Sequence, residues 1–134
     1  MLSVIIPTRN ANASLPRTLA CLAERKEEAG IAEIIVADGG SVTAPDVSEF
    51  GAVLLRGEPG RGVQMAHGAT AATGDWLLFL HADTVLGKGW ARAVRAHMAN
   101  TRQRRKTSFS RILALILVSS SSKPKTAALP LVSM

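Results

Sequence analysis

Tyrosine is absent from the 134 residues, and aromatic side chains of all kinds make up only 4%. The core therefore has to be aliphatic, and an apolar content of 47% suffices for one small domain. There is one cysteine, Cys21, which excludes an internal disulfide framework and fits a reducing compartment. Cys21 falls within an apolar helical face and reads as a small core residue rather than a nucleophile. The start of the chain lacks a basic n-region, and its apolar run is too short for a signal peptide. No stretch approaches the ~18 apolar residues that span a bilayer; the longest late run covers residues 112–118. A cytoplasmic protein is the expectation. Acidic residues are missing from everything after Asp83. The formal charge of +6 therefore divides unevenly: residues 1–100 sum to −1 and residues 101–134 to +7. A near-neutral body carries a basic tail, so no nucleic-acid partner is expected for the body.

What is present is a regular alternation of short apolar runs and polar loops. Ser3-Val4-Ile5-Ile6 reads as a strand buried on both faces and ended by Pro7. After a polar loop, Ser14 as N-cap and Pro16 in the first turn open a helix. Leu15, Leu19, Leu22 and Ala23 recur there at helical spacing as far as Ala29, and Gly30 is its stop. Residues 33–37 form a second strand, and a strand–helix–strand connection of this length gives a parallel pair. Residues 42–50 make a short helix or turn, and residues 52–55 a third strand. A glycine-rich loop, residues 57–62, precedes a small-residue helix over 63–72, closed by Gly74. Residues 75–80 are a fourth strand and 88–100 a helix. No element is assigned beyond about residue 100, where a basic run, an apolar run and a serine tract follow one another.

The chemistry gathers where the strands end. In a doubly wound sheet these ends share one edge, where ligands bind. They offer Thr8, Arg9 and Asn10, then Asp38-Gly39-Gly40-Ser41, then His81 and Asp83. Asp38 could accept a hydrogen bond from a nucleotide base, and Gly39 and Gly40 would admit a flat ring closely. Gly60 and Gly62 expose N–H groups at a helix start, and Arg61 can reach a phosphate. Asp83 suits a divalent cation held against two phosphates. Each feature has a plainer reading. Asp-Gly-Gly is a common turn, Arg61 a solvated loop charge, Asn10 and Ser14 local caps, and His67 a surface residue. The joint pattern is far more specific than any member.

Four stretches in order carry a resemblance: Val4-Ile5-Ile6-Pro7-Thr8-Arg9-Asn10; Ile34-Ile35-Val36-Ala37-Asp38-Gly39-Gly40-Ser41; Gly60-Arg61-Gly62-Val63-Gln64-Met65-Ala66-His67-Gly68-Ala69; and Leu78-Phe79-Leu80-His81-Ala82-Asp83-Thr84. Together they resemble the family 2 glycosyltransferases, in particular a small bacterial branch with a His-Ala-Asp-Thr signature. The resemblance covers residues 1 to about 100. It implies an α/β GT-A nucleotide-binding sandwich with a mainly parallel central sheet, its C-terminal half incomplete. It implies a nucleotide-diphosphate sugar, UDP- or GDP-linked, as donor. Pro7, Thr8, Arg9, Asn10, Asp38 and Gly39 would hold base and ribose, with Arg61 and Gln64 near the ribose or diphosphate. Asp83 matches the last carboxylate of the family's Asp-x-Asp metal motif, and His81 stands at its first position. Together these two would bind Mg²⁺ or Mn²⁺.

The implied reaction is displacement at the anomeric carbon with inversion. The metal neutralises the leaving diphosphate, and a carboxylate base deprotonates an acceptor of unknown identity. In the family that base follows the metal motif, but here no Asp or Glu follows Asp83, so the catalytic residue is not identified. Residues 1–100 are thus expected to be a donor-binding half. Residues 101–134 are expected to be a tail foreign to the family, from a truncated or frame-shifted gene, with peripheral contact to the inner membrane face as its functional alternative. A sheet left incomplete would favour homo-oligomers. The alternative to an active transferase is a fragment that only binds a nucleotide diphosphate. A dinucleotide-dependent oxidoreductase is disfavoured, because Pro7-Thr8-Arg9-Asn10 stands where G-x-G-x-x-G would follow the first strand.

Overall fold

A computed structural model describes residues 1–102, 111–114 and 132–133. The elements in chain order are β1 (Leu2–Thr8), α1 (Leu15–Glu24), α2 (Lys26–Ala29), β2 (Ile31–Asp38), a 3₁₀ turn (Ser48–Phe50), β3 (Val53–Arg56), α3 (Arg61–Ala71), β4 (Trp76–Phe79), α4 (Trp90–Arg102), β5 (Arg111–Ala114) and β6 (Val132–Ser133). One sheet runs in the order β3-β2-β1-β4-β5-β6. Every pairing is parallel except β5 with β6. This is the mainly parallel α/β sheet that the alternation of runs and loops implied.

The strands are apolar on both sides because both faces are covered. Leu2, Val4 and Ile6 of β1 join Ile34, Val36, Trp76 and Leu78 on one face, under Leu15, Leu19 and Leu22 of α1 and Val94 of α4. Each leucine so buried contributes about 1.5–3 kcal/mol. Ile5, Ile35 and Leu77 lie on the other face with Ala69 of α3. α3 approaches the sheet closely there. A Cβ on Gly68 would stand 2.5 Å from Cγ2 of Ile5, so the helix cannot carry a larger residue at that point without moving.

Four expectations are corrected. Pro7 does not end β1, which runs on to Thr8. The Ile5 carbonyl faces β4, accepting from Leu80 N–H at 3.0 Å, and Pro7, two residues on, faces the same way. The pairing with β4 ends at Ile5 opposite Phe79, so the missing proline N–H interrupts no ladder. The first helix breaks at Arg25 into α1 and α2. After the break, the carbonyls of Glu27 and Glu28 accept from Arg95 of α4 at 3.0 and 3.5 Å. Ser14 holds the N-cap place, but its hydroxyl donates back to the Ala11 carbonyl at 3.3 Å and caps nothing. Beyond residue 100, where no element was assigned, residues 111–114 add a strand beside β4. The serine tract, residues 119–122, and most of the basic run lie outside the described residues. Among the described residues, no helix is long and apolar enough to cross a membrane.

Candidate functional site

The three loops that follow β1, β2 and β4 meet at the carboxyl edge of the sheet, because those strands are parallel neighbours. Thr8 ends β1 opposite Asp38, the last residue of β2. From there the first two loops are laced together. Asn10, at φ 53°, donates its main-chain N–H to Ser41 Oγ at 2.8 Å. Its own Oδ1 accepts from Val42 N–H at 2.9 Å. Asparagine tolerates this left-handed conformation better than most side chains do. Asn12 adds a bond to the Thr43 carbonyl at 3.0 Å. Arg9 is exposed beside this seam.

Asp38 lies beneath the seam, its side chain fully shielded from solvent. It accepts from the Ser41 N–H at 3.1 Å, from the Ser41 hydroxyl, and from Arg56 Nε at 3.2 Å. Burial raises its pKa, but the bonds from Ser41 and Arg56 outweigh burial and hold the carboxyl below its usual range. With its carboxylate turned inward and bonded, Asp38 organises the loop. Arg56, absent from the expected site, also donates from Nη2 to the Ser41 carbonyl at 2.8 Å. Its signal lies in the register, since Asp38 and Arg56 are directly opposed ends of neighbouring strands.

Gln64 and Gly39 meet beside the same seam. The Gln64 amide nitrogen donates to the carbonyls of Thr8 and Ala37, both at 2.8 Å. Its oxygen accepts from Gly60 N–H at 3.2 Å. One buried side chain thus ties the ends of β1 and β2 to the glycine loop, leaving no amide hydrogen for a ribose or phosphate. This amide approaches Gly39 closely: a Cβ there would stand 2.5 Å from Gln64 Cδ. Arg61 opens α3 just beyond Gly60 and is exposed, free to swing over this edge.

The third loop is built differently. From Leu80 to Leu86, through a turn at Ala82 and Asp83, burial alternates: Leu80, Ala82, Thr84 and Leu86 are buried, while His81 is half-buried and Asp83 and Val85 are exposed. His81 and Asp83 therefore share the outward side. Among the described residues neither side chain forms a hydrogen bond or ion pair, in contrast to Asp38. Nor do three or more His, Cys, Asp or Glu residues gather there into a metal cage. One carboxylate and one imidazole fit Mg²⁺ or Mn²⁺ in a site that draws its remaining donors from substrate phosphates and water.

Comparison with known proteins agrees with this geometry. The sequence profile of Glycosyl transferase family 2 matches residues 3–104. Two relatives, each a PGL/p-HBAD biosynthesis glycosyltransferase, come from Mycobacterium bovis (strain BCG / Pasteur 1173P2) and Mycobacterium tuberculosis (strain ATCC 25177 / H37Ra). Each is 37% identical over 97 residues, covering 64% of this chain. The chain spans 36% of the length of these curated relatives. Among solved structures, TarS residues 1–349 from S. aureus matches with a TM-score of 0.64 and 22% identity, over 75% of this chain and 33% of that one. Glucosyl-3-phosphoglycerate synthase from Mycobacterium tuberculosis, solved with Mn²⁺, UDP and glucosyl-3-phosphoglycerate, matches with a TM-score of 0.55 and 21% identity, over 63% of this chain and 34% of that one. These are GT-A glycosyltransferases, and at such identities they establish the fold. With the profile covering most of its length, this chain belongs to Glycosyl transferase family 2.

Proposed function

We propose that the chain carries the donor-binding part of a metal-dependent, inverting glycosyltransferase acting on a UDP- or GDP-linked sugar. The observation that carries this reading is the contrast at the sheet edge. Asp38 is locked into the scaffold, while Asp83, on the same edge, is open and bonded to nothing among the described residues. The laced loops of Thr8–Asn10 and Gly39–Ser41 form a rigid floor for base and ribose, with Pro7 and Asp38 setting its shape. Arg61, above Gly60 and Gly62, is placed to pair with phosphate. His81 and Asp83 would hold the Mg²⁺ or Mn²⁺. When bound, that ion supplies charge neutralisation for the departing diphosphate. The acceptor hydroxyl attacks the anomeric carbon, the bond to the diphosphate oxygen breaks, and the hydroxyl proton passes to a base.

That base is not assigned to this chain. No Asp or Glu follows Asp83, and this favours a second reading, in which the 134 residues bind the nucleotide diphosphate without transferring the sugar. Calorimetric titration of UDP and GDP into the protein, with and without Mn²⁺, tests both readings. Metal-dependent binding that Asp83→Ala weakens by about tenfold or more supports the donor site. Incubation with radiolabelled UDP- or GDP-sugars, water standing in as acceptor, then separates the readings, since only the first releases free sugar and the nucleoside diphosphate. A folded protein that binds neither nucleotide overturns both.

A further inference from the structure

The segment carrying His81 and Asp83 belongs to no strand or helix. It is held instead by one hydroxyl. Thr18 lies inside α1 and is 1% exposed. Its Oγ1 faces the Ala82 carbonyl at 2.7 Å and the Thr84 carbonyl at 3.1 Å and donates its single hydrogen between them. A helical threonine ordinarily turns its hydroxyl back on its own preceding turn. This one reaches across the core to a segment 64 residues on. The two carbonyls it engages are those on either side of Asp83. The turn is closed from within by Thr84 N–H, which donates to the His81 carbonyl at 3.1 Å. One turn further along α1, the Cys21 thiol meets the Leu86 main chain and Trp90, so the helix supports the segment at a second point.

We propose that Thr18 is a positioning residue that aims Asp83 and His81 at a divalent cation. The inference rests on the reading that these two side chains hold the cation. The peptide groups flanking Asp83 fix the direction of its Cα–Cβ bond: Thr18 holds the preceding one through the Ala82 carbonyl and the chain just beyond through the Thr84 carbonyl, and Thr84 N–H holds the following one on the His81 carbonyl. Removing the hydroxyl leaves two carbonyls without their shared donor and lets the peptide planes rotate. The carboxylate then has to be ordered by the ion itself, at a cost in affinity. Thr18 lies across the core from the outward side of this segment, so nucleotide binding without metal, which uses the other two loops, does not depend on it.

The test uses the full chain and the pair Thr18→Ser and Thr18→Ala. Both lose the methyl group, and only the first keeps the hydroxyl. Mn²⁺ affinity is read by electron paramagnetic resonance at fixed UDP or GDP, and metal-free nucleotide affinity by calorimetry. The serine variant should keep Mn²⁺ affinity within about twofold, and the alanine variant should lose about tenfold or more, with metal-free nucleotide affinity unchanged in both. Thr18→Val, which keeps the volume and lacks the hydroxyl, repeats the comparison without a cavity. Equal Mn²⁺ affinity in the serine, alanine and valine variants overturns the positioning role alone. A parallel loss of metal-free nucleotide binding also overturns it, since the role would then be general support. A starting protein whose nucleotide binding is indifferent to Mn²⁺ and to Asp83→Ala overturns the cation site, and this proposal with it.

Discussion

Gly39 and Gln64 show how one residue's freedom can be set by another's reach. The Gln64 amide can bridge the ends of two strands only because nothing projects from Gly39 into its path. Gly39→Ala should therefore destabilise the protein by about 1–3 kcal/mol, the usual scale of overpacking. Gln64→Ala should cost a similar amount by freeing two buried carbonyls. In the double variant the clash is gone, so the combined loss should fall short of the sum by about 1 kcal/mol or more. Urea denaturation of the four proteins measures this; simple additivity would show that the two residues do not meet. Little of this was legible in the sequence. Asp38, Gly39 and Gln64 stood out as residue types suited to a nucleotide, and they do lie at the predicted edge. Which of them faces a ligand and which faces the protein depended on hydrogen bonds between residues up to 56 positions apart.

At the scale of elements, α3 decides how the second face of the sheet is closed. Its contact with β1 runs through Gly68 over Ile5. Gly68→Ala gains helix propensity of roughly 1 kcal/mol but drives a methyl into Ile5 Cγ2. We expect a net loss of about 1–2 kcal/mol, and a smaller one in an Ile5→Ala background, where Cγ2 is gone. Thermal melting of the single and double variants decides it, and a Gly68→Ala protein as stable as the parent would show that α3 can shift outward freely. The helical and strand periods of the sequence foretold each of β1 to β4 and their helices to within a few residues. The break at Arg25 was not foretold, because the apolar spacing of α1 and α2 is continuous across it, and the carbonyls at the end of α2 are engaged by a distant helix.

Over the whole molecule, two carboxylates clamp opposite ends of the parallel sheet. Asp38 sits at the carboxyl edge. Near the other edge, Glu33 accepts from Ser3 Oγ at 2.6 Å and from the main chain and hydroxyl of Thr73. Burial raises the pKa of Glu33, but the bonds from Ser3 and Thr73 outweigh it and bring the carboxyl below its usual range. Both groups therefore release their protons more readily folded than unfolded. Their stabilisation is fully present above the unfolded carboxylate values, about pH 4, and is lost as pH falls through the lower folded values. Stability measured by urea at pH 7 and pH 3 should show a marked drop, and that drop should shrink in Asp38→Asn and in Glu33→Gln. An undiminished drop in both variants would place the acid sensitivity elsewhere.

By itself the sequence determined the α/β class, the parallel sheet, the edge at which the polar loops gather and the family. Each of these follows from periodicity along the chain, from strand–helix–strand connection lengths and from motifs in order. Only the tertiary structure decided what the polar residues at that edge do. Asp38 and Gln64 brace the scaffold because Arg56, Ser41 and the ends of β1 and β2 come within hydrogen-bond reach of them. Asp83 remains open because the alternation of burial after β4 leaves it outward, with Thr18 of another element holding the carbonyls of its two neighbours, Ala82 and Thr84. A side chain's type says what it can bond. Whether those bonds are already taken depends on which distant strand ends and helix faces the fold brings beside it.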